Sequence, residues 1–277
     1  MSNTEIRPLS LPEVETLVDW AAGEGWNPGL ADAAALRAAD PEGFLGNFVD
    51  GEMVAGISAV AYGSDFGFIG LYISRPDRRG LGYGKAVWDA GMKRLEGRTI
   101  GLDGVPAQLA NYQSMGFAPH YKTHRFSGRF EADAANGNIT PMTSDLATAI
   151  ATFDTRFFPE PRPSFIEGWL REPRIALVST DGNAIRGYGV ARACREGFKI
   201  GPLFAEDLDT AVALLSALGR ECDGEIHIDV PEVNADFVRL LEKAGMSRGF
   251  ETTRMYRGPA PSFELNGVYG VTTLELG

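Results

Sequence analysis

The sequence feature that most limits the possible folds of this chain is a short glycine-rich stretch, RGLGYGK at residues 79–85. It follows an apolar segment typical of a buried strand, residues 67–74, and it leads into a segment with helical spacing, residues 83–95. A loop that joins a strand to a helix N-terminus presents unpaired backbone N–H groups and the positive end of the helix dipole. The stretch therefore predicts an anion-binding loop, and phosphate is an anion that such loops hold.

The elements around this loop are those of a mixed sheet. Periodicity in residues 1–128 predicts strands at 6–10, 44–49, 53–62, 67–74, 98–102 and 117–126, and helices at 11–24, 31–39, 83–95 and 106–115. Asp50-Gly51 lies between two of these strands and is a hairpin signal. Strands first, then alternating strands and helices, predict an α/β fold with a mixed (α+β) sheet.

The second half of the chain repeats this pattern. LDGVPAQLANYQSMGF resembles IDVPEVNADFVRLLEKAGM when Gly116 is placed on Gly245, an offset of 129 residues (245 minus 116). A polar segment at 127–137 indicates a linker. The rest begins with ITPM at 139–142, which echoes IRPL at the first strand. It then predicts helices at 144–153, 208–218 and 235–244, strands at 175–180, 186–195, 226–230 and 250–256, and a further strand within 267–277. We therefore expect tandem copies of one fold, in residues 1–128 and 138–277.

Two common phosphate-binding motifs do not fit the loop. A Walker A motif would need glycine where Arg79 stands and serine or threonine where Ala86 stands. A dinucleotide fingerprint would need a third glycine at Lys85 or Val87, depending on the register. Both motifs are therefore excluded.

The pattern that remains is R-x-x-G-x-G, formed by Arg79, Gly82 and Gly84. It resembles the acyl-CoA loop of the GNAT superfamily of N-acetyltransferases. The strand GLYIS before the loop and the later NYQSMGF, at 111–117, are similar to the segments that flank this loop and close the domain in that family. With EGWNPG at 24–29 and TTLELG at 272–277, the chain resembles a bacterial subgroup in which a catalytic GNAT domain precedes a GNAT-like C-terminal domain.

This resemblance implies that the first half binds acetyl-CoA as a co-substrate. Backbone N–H groups of the loop would hold the pyrophosphate, and the strand before it would diverge from its neighbour and bond the pantetheine amides. A backbone N–H there would polarise the thioester carbonyl. The residues so assigned are Tyr72, Ile73, Ser74, Arg79, Gly80, Leu81, Gly82, Tyr83, Gly84, Lys85 and Asn111.

The resemblance also implies catalytic roles. Tyr112 occupies the tyrosine position of the closing motif, which commonly protonates the leaving thiolate, although a tyrosine near a helix end is also a common core residue. Asp103, Glu24 and Asp65 are candidates for the general base, and a water chain is an alternative. The acceptor pocket is expected near Trp26 and Asn27, where a tryptophan that packs the first helix is the competing interpretation.

The second half lacks the features of a CoA site. Where the first half has RPDRRGLGYG, the second has GPLFAED at 201–207, with no glycine alternation and with Glu206 and Asp207, which would repel a pyrophosphate. The same offset aligns Tyr112 with Leu241, which cannot donate a proton. We expect the second half to cover the first sheet or to form a wall of the acceptor site.

The net charge of −11 argues against nucleic acid as a main partner and favours a cationic acceptor over an anionic one. No apolar run has the length of a membrane span, and the N-terminal residues do not resemble a secretion signal. Two cysteines, interpreted as reduced thiols, indicate a cytoplasmic protein. The three histidines show no metal-ligand spacing, so no metal site is expected.

Two main hypotheses follow. The first is an acetyl-CoA-dependent N-acetyltransferase that acts on a small-molecule or peptide amine. The second is a non-catalytic regulator or sensor that binds acyl-CoA. Acyl transfer to a hydroxyl group is a third interpretation, and a homodimeric assembly stays open.

Overall fold

A computed structural model describes residues 3–131 and 138–277 of the chain, and it contains thirteen strands, eight α-helices and four short 3-10 helices within these ranges. The strands are β1 (Thr4–Pro8), β2 (Phe44–Val49), β3 (Glu52–Tyr62), β4 (Phe66–Ser74), β5 (Thr99–Gly104), β6 (Ala118–Gly128), β7 (Asn138–Pro141), β8 (Ile175–Asp181), β9 (Ala184–Ala193), β10 (Phe198–Ala205), β11 (Ile226–Pro231), β12 (Ser247–Arg257) and β13 (Val268–Gly270). The helices are α1 (Leu11–Gly23), α2 (Asp32–Ala39), α3 (Tyr83–Arg94), α4 (Leu109–Ser114), α5 (Ala147–Asp154), α6 (Pro163–Trp169), α7 (Leu208–Glu221) and α8 (Ala235–Lys243).

The strands of both halves form one continuous sheet. Twelve of the described strands follow the order β1-β2-β3-β4-β5-β12-β6-β11-β10-β9-β8-β7, and β13 pairs with β10. The pairs β4–β5 and β10–β11 are parallel, and the other pairs are antiparallel. The predicted mixed α/β sheet is therefore confirmed.

The two halves exchange their last long strands at the centre of the sheet. Strand β12, from the second half, pairs with β5 of the first half, with Thr253 opposite Gly104. Strand β6, from the first half, pairs with β11 of the second half, with Ile226 opposite Gly128. A strand from the second half therefore completes the sheet around the predicted acyl-CoA site.

The tandem repeat proposed from the sequence is visible in the backbone. Gly116 follows α4 with φ 89°, and Gly245 follows α8 with φ 84°. A left-handed residue after a helix is the position at which glycine is strongly preferred. The two residues used to align the halves therefore occupy the same structural position.

The second half also differs from the sequence prediction. Residues 201–205 of the GPLFAED segment belong to strand β10, so only Glu206 and Asp207 separate that strand from α7. The sequence analysis missed β10 and the short helix α6. In the predicted linker, β6 runs to Gly128 and Phe130 is buried in the core of the second half, while residues 132–137 lie outside the described residues.

The helices cover the sheet in three groups. Helices α3 and α4 pack on one face of the first half, and α7 and α8 pack on the second half. On the other face of the first half, α1 and α2 share a core with α5 and α6 of the second half, where Trp169 is fully buried. The two halves are therefore joined by a common hydrophobic core as well as by the exchanged strands.

The start of α1 allows a test of stability against pH. Glu13 accepts hydrogen bonds from Arg7 and from the backbone and hydroxyl of Ser10, and chiefly the bond from Arg7 lowers the pKa of Glu13 from 4.5 to about 2. Since this pKa is lowered by folding, its stabilising contribution is present above about pH 4.5 and is lost as the pH falls toward 2. We expect Glu13→Gln to cost about 1 kcal/mol at neutral pH, a value reduced for solvent screening.

Urea unfolding of wild type and variant near neutral pH and near pH 2 would check this expectation. The difference between the two proteins should disappear at the acid end. Glu15→Gln, an exposed position on the same helix, is the matched control. A difference that is independent of pH would contradict the ionic origin of the effect.

Candidate active site

The parallel strands β4 and β5 diverge at their carboxyl ends. Their pairing runs from Phe66–Thr99 to Ile69–Leu102 and then stops. At the same point β4 carries a bulge, because Leu71 has φ 45° and the register against β3 shifts between Gly70 and Ile73. The predicted divergence of this strand at residues 72–74 is therefore present.

A cavity of about 500 Å³ occupies the gap between the diverging strands. It is lined by both halves of the chain: Glu24, Trp26, Ile69, Gly70, Leu71, Tyr72, Ile73, Ser74, Arg79, Leu102, Asp103, Val105, Gln108, Asn111, Tyr112, Phe250, Thr252, Leu274 and Glu275. This volume is in the range of small-molecule sites, which hold roughly 300–1,000 Å³. The cavity is therefore the candidate active site.

The glycine loop lies between the end of β4 and the start of α3. Gly80 and Gly82 have φ 76° and 86°, values that L side chains rarely adopt, and no atom lies within 4 Å of a Cβ placed on either residue. Gly84 is needed for a different reason, because a Cβ there would lie 2.6 Å from Ser74 Oγ. Asn47 of β2 donates a hydrogen bond of 3.1 Å to the Tyr83 carbonyl and supports the start of the helix. The loop therefore leaves its backbone open to a ligand at the N-terminus of α3.

Leu81 and Lys85, also predicted to contact CoA, are exposed on this loop. Arg79 links the loop to the opposite wall of the cavity. Its Nε donates a hydrogen bond of 3.1 Å to the Ser74 carbonyl, and its Nη2 forms an ion pair with Glu24. The Arg79 side chain is half exposed and therefore reachable by a ligand.

Tyr112 lies at the cavity with its ring fixed by aromatic contacts. The ring stacks on Trp88 with centroids 5.7 Å apart and meets Phe117 edge-on at 6.3 Å. Burial, with a smaller contribution from Tyr72, raises the pKa of Tyr112 to about 12, so the phenol holds its proton at neutral pH. Its hydroxyl has no hydrogen-bond partner in residues 3–131 or 138–277. The hydroxyl of the predicted acid is therefore free to donate a hydrogen bond. Asn111, next to Tyr112 in the chain, also lines the cavity.

Asp103, the predicted base, forms an ion pair with a residue of the second half. Arg254 on β12 donates two hydrogen bonds of 2.8 and 2.9 Å to its two oxygens, and both side chains are almost fully buried. Burial raises the pKa of Asp103, and the charge of Arg254 offsets part of this effect. Asp103 lines the cavity, but its side chain is fully buried and Arg254 binds both carboxylate oxygens.

The other candidates are distributed unevenly around the cavity. Glu24 and Trp26 line it, whereas Asp65 lies in the turn at the opposite end of β4. Asn27 is not among the lining residues, because its side chain bonds the backbone of Glu196 in the second half, donating at 2.8 Å and accepting at 3.2 Å. The predicted acceptor loop is therefore docked on the second half through Asn27, and its residues that line the cavity are Glu24 and Trp26.

The second half contributes residues that the sequence analysis did not identify. Phe250 and Thr252 come from the exchanged strand β12, and Leu274 and Glu275 come from the segment that follows β13. A Cβ on Gly70 would lie 2.2 Å from the Glu275 carbonyl oxygen, so glycine lets this segment approach β4. The resemblance of TTLELG to the bacterial subgroup was the one sequence signal that pointed to this segment.

The equivalent gap in the second half is closed. Strand β13 pairs with β10 at Leu203 and Phe204, and Val271 donates to the Asp229 carbonyl on β11 at 2.9 Å. The N-terminus of α7 is capped by its own carboxylate, since Asp207 accepts a hydrogen bond of 2.8 Å from the Thr210 N–H. An anion therefore meets an open helix N-terminus at α3 and a capped one at α7.

Comparison with known proteins agrees with this architecture. The Acetyltransferase (GNAT) family model matches residues 11–118, and the Acetyltransferase (GNAT) domain model matches residues 150–270. The chain is 33% identical over 276 residues to the holothin acyltransferase of Pseudoalteromonas sp. (strain SANK 73390), with 98% of this chain and 94% of that protein covered. The chain belongs to the GNAT acyltransferase family. It is a tandem GNAT protein, as its two matched regions and its paired folds show.

Solved structures share the fold. A putative acetyltransferase from Pyrococcus horikoshii superposes with a TM-score of 0.83 at 20% identity, covering 99% of this chain and 96% of that one. A tandem GNAT protein from the clavulanic acid biosynthesis pathway gives 0.61 at 15% identity, with 93% and 100% covered. In the described part of this chain, no helix combines the length and apolarity needed to cross a membrane.

Proposed function

We propose that this GNAT acyltransferase is an acetyl-CoA-dependent N-acetyltransferase. The observation that carries the proposal is the lining of one cavity: the diverging ends of β4 and β5, Tyr112, and Arg79, which begins the glycine loop that leads to the open N-terminus of α3. Each feature serves a different part of one reaction, and none requires a metal.

The residues of the first half fit an acyl-CoA co-substrate. The first-turn N–H groups of α3 and the adjacent loop suit the pyrophosphate, and Arg79 adds a positive charge at its side. The bulge at Leu71 turns the end of β4 away from β5, which leaves its backbone groups available to the pantetheine amides. The thioester would then lie in the gap, where Tyr112 can protonate the departing sulfur.

The acceptor would enter from the side formed by the second half. An amine is favoured by the acidic residues that line the cavity, Glu24, Asp103 and Glu275, and by the negative charge of the whole chain. Trp26 and Phe250 add aromatic surface for an apolar part of the acceptor. The 33% identical relative is named a holothin acyltransferase. The first set of acceptors to test should therefore contain holothin, small primary amines and peptide amines.

Acetyl-CoA should bind with a stoichiometry of one per chain. The first half supplies an open loop, whereas in the second half β13 fills the gap and Asp207 caps α7. Isothermal titration calorimetry with acetyl-CoA measures the stoichiometry directly. Two sites per chain would mean that the second half is also active, and an absence of binding would contradict the proposed co-substrate.

Release of free CoA thiol across the amine panel then tests acyl transfer. Turnover with an amine, and an amide product by mass spectrometry, would support the N-acetyltransferase. Tight acetyl-CoA binding without transfer to any amine or alcohol would favour the sensor hypothesis instead. The cytoplasmic location and a homodimeric assembly stay predictions from the sequence.

A further inference from the structure

Buried carboxylates in this protein are paired with arginine almost without exception. Within residues 3–131 and 138–277, four aspartates have side chains that are at most 5% exposed, and each forms an ion pair. The pairs are Asp32 with Arg174 and Arg192, Asp103 with Arg254, Asp154 with Arg162, and Asp229 with Arg125. Such pairing is what burial of a charge requires.

Glu275 is the exception. It is 4% exposed and lines the cavity, yet it forms no ion pair with any residue that the structure describes. Its carboxylate accepts a hydrogen bond at Oε2 from the Thr273 hydroxyl, whose oxygen in turn accepts the Glu275 N–H at 2.8 Å. Oε1 has no hydrogen-bond partner in the described part of the chain. The side chain is held in place on one side and left without a cation on the other.

The segment that carries Glu275 is rigidly placed against the site. The Glu275 carbonyl accepts a hydrogen bond of 3.1 Å from Ser58, and the Leu276 carbonyl accepts one of 3.2 Å from Tyr62. Both donors lie on β3 of the first half. The backbone of Glu275 is therefore fixed beside β4, at the level where β4 and β5 diverge.

The cationic side chains around Glu275 already have other partners within the protein. Asp103 on β5 repels it, and Arg125, Arg192 and Lys199 attract it from further away. The two arginines are paired with Asp229 and Asp32, and Lys199 donates its hydrogen bond to the Trp26 carbonyl at 3.0 Å. A cation that enters the cavity would therefore find Glu275 as the carboxylate without a direct partner.

We propose that Glu275 is the residue of the second half that binds the ammonium group of the acceptor and takes its first proton. This inference rests on the proposed N-acetyltransferase function and adds the residue that selects a cationic primary amine. A buried carboxylate and a substrate cation would form the ion pair that the other buried carboxylates form within the protein.

The proposed step balances in atoms and charge. The ammonium gives one proton to Glu275, and the freed lone pair forms the C–N bond at the thioester carbonyl carbon. The C–S bond breaks, the sulfur keeps its electron pair, and the thiolate takes the Tyr112 proton. The second nitrogen proton leaves to water, and solvent restores Tyr112 and Glu275 to their starting states. No oxidant or reductant is involved.

The test compares Glu275→Gln with Glu275→Asp, using the best primary amine found for the wild-type enzyme. We expect Glu275→Gln to lower kcat/KM for the amine about 100-fold and to leave the Kd for acetyl-CoA unchanged. Calorimetric binding of the amine to the CoA-loaded protein should weaken roughly 10- to 100-fold, as for loss of a hydrogen bond to a charged group. Glu275→Asp should recover part of both losses because it keeps the charge.

Stability separates this role from a structural one. Gln keeps the bond to Thr273 and removes an unpaired buried charge, so Glu275→Gln should unfold at the same denaturant concentration as wild type or a higher one. Asp229→Asn, the matched removal of a paired carboxylate, should unfold at a lower one. Amine turnover that Glu275→Gln retains in full would overturn this inference alone. Failure of the wild-type enzyme to acylate any amine would overturn it together with the proposed function.

Discussion

Tyr112→Phe should lower kcat by about 100-fold or more, while the affinity for acetyl-CoA stays close to that of the wild-type enzyme. The variant removes only the hydroxyl, and the ring can keep its stacking contact with Trp88. Without the phenol, the thiolate would leave as an anion in a largely buried site, and this raises the barrier for C–S cleavage. Kinetics with saturating amine and calorimetry with acetyl-CoA measure the two quantities separately.

The pH dependence adds a second check on Tyr112. Because burial raises its pKa to about 12, the phenol stays protonated throughout the neutral and mildly alkaline range. Loss of this proton should therefore not limit kcat until the pH approaches 12. An alkaline decline near pH 9 that disappears in Tyr112→Phe would contradict this assignment, and so would an equal loss of turnover and acetyl-CoA affinity. Tyr269→Phe, on β13 and outside the cavity lining, is the control hydroxyl deletion.

The first half of the fold could be predicted almost element by element because its order is set by local signals. The hairpin signal Asp50-Gly51 marked β2 and β3, an apolar run identified β4, helical spacing identified α1 and α3, and the glycine loop marked the start of α3. In the second half β10 was missed, because its residues were interpreted as the counterpart of the phosphate loop. Local pattern distinguishes poorly between a loop and a buried strand that contains Gly-Pro, as β10 does at Gly201-Pro202.

The exchange of β6 and β12 could not be predicted from either half alone. Both strands have the composition of a closing strand, and only their pairing decides which sheet each one joins. The same limit applies to the site. Tyr112 and the glycine loop form motifs that are continuous in sequence, whereas Glu275 reaches the cavity from a segment more than half the chain away. Asn27 lies in a polar loop where a ligand contact was predicted, but its side-chain hydrogen bonds go to the backbone of Glu196 in the second half.

Asp103→Asn should destabilise the protein by about 3–5 kcal/mol, the usual cost of removing one partner from a buried ion pair. The change leaves Arg254, with a side chain 3% exposed, without a counterion between β5 and β6. Because Arg254 belongs to β12, the loss should loosen the contact between the exchanged strand and the first half. Chemical denaturation gives the free energy of unfolding, and Asp236→Asn, which removes one partner of an exposed pair on α8, should change it little.

The double variant Asp103→Leu/Arg254→Met separates stability from catalysis. Replacing both partners with apolar side chains of similar size leaves no unpaired charge, so most of the lost stability should return. If Asp103 acts only through Arg254, the double variant should keep amine turnover, because Glu275 still accepts the proton. A stable double variant without turnover would instead support Asp103 as the general base, as the sequence predicted. The single and double variants together therefore test whether Asp103, which Arg254 of β12 binds, or Glu275, which has no cation partner, accepts the proton of the amine.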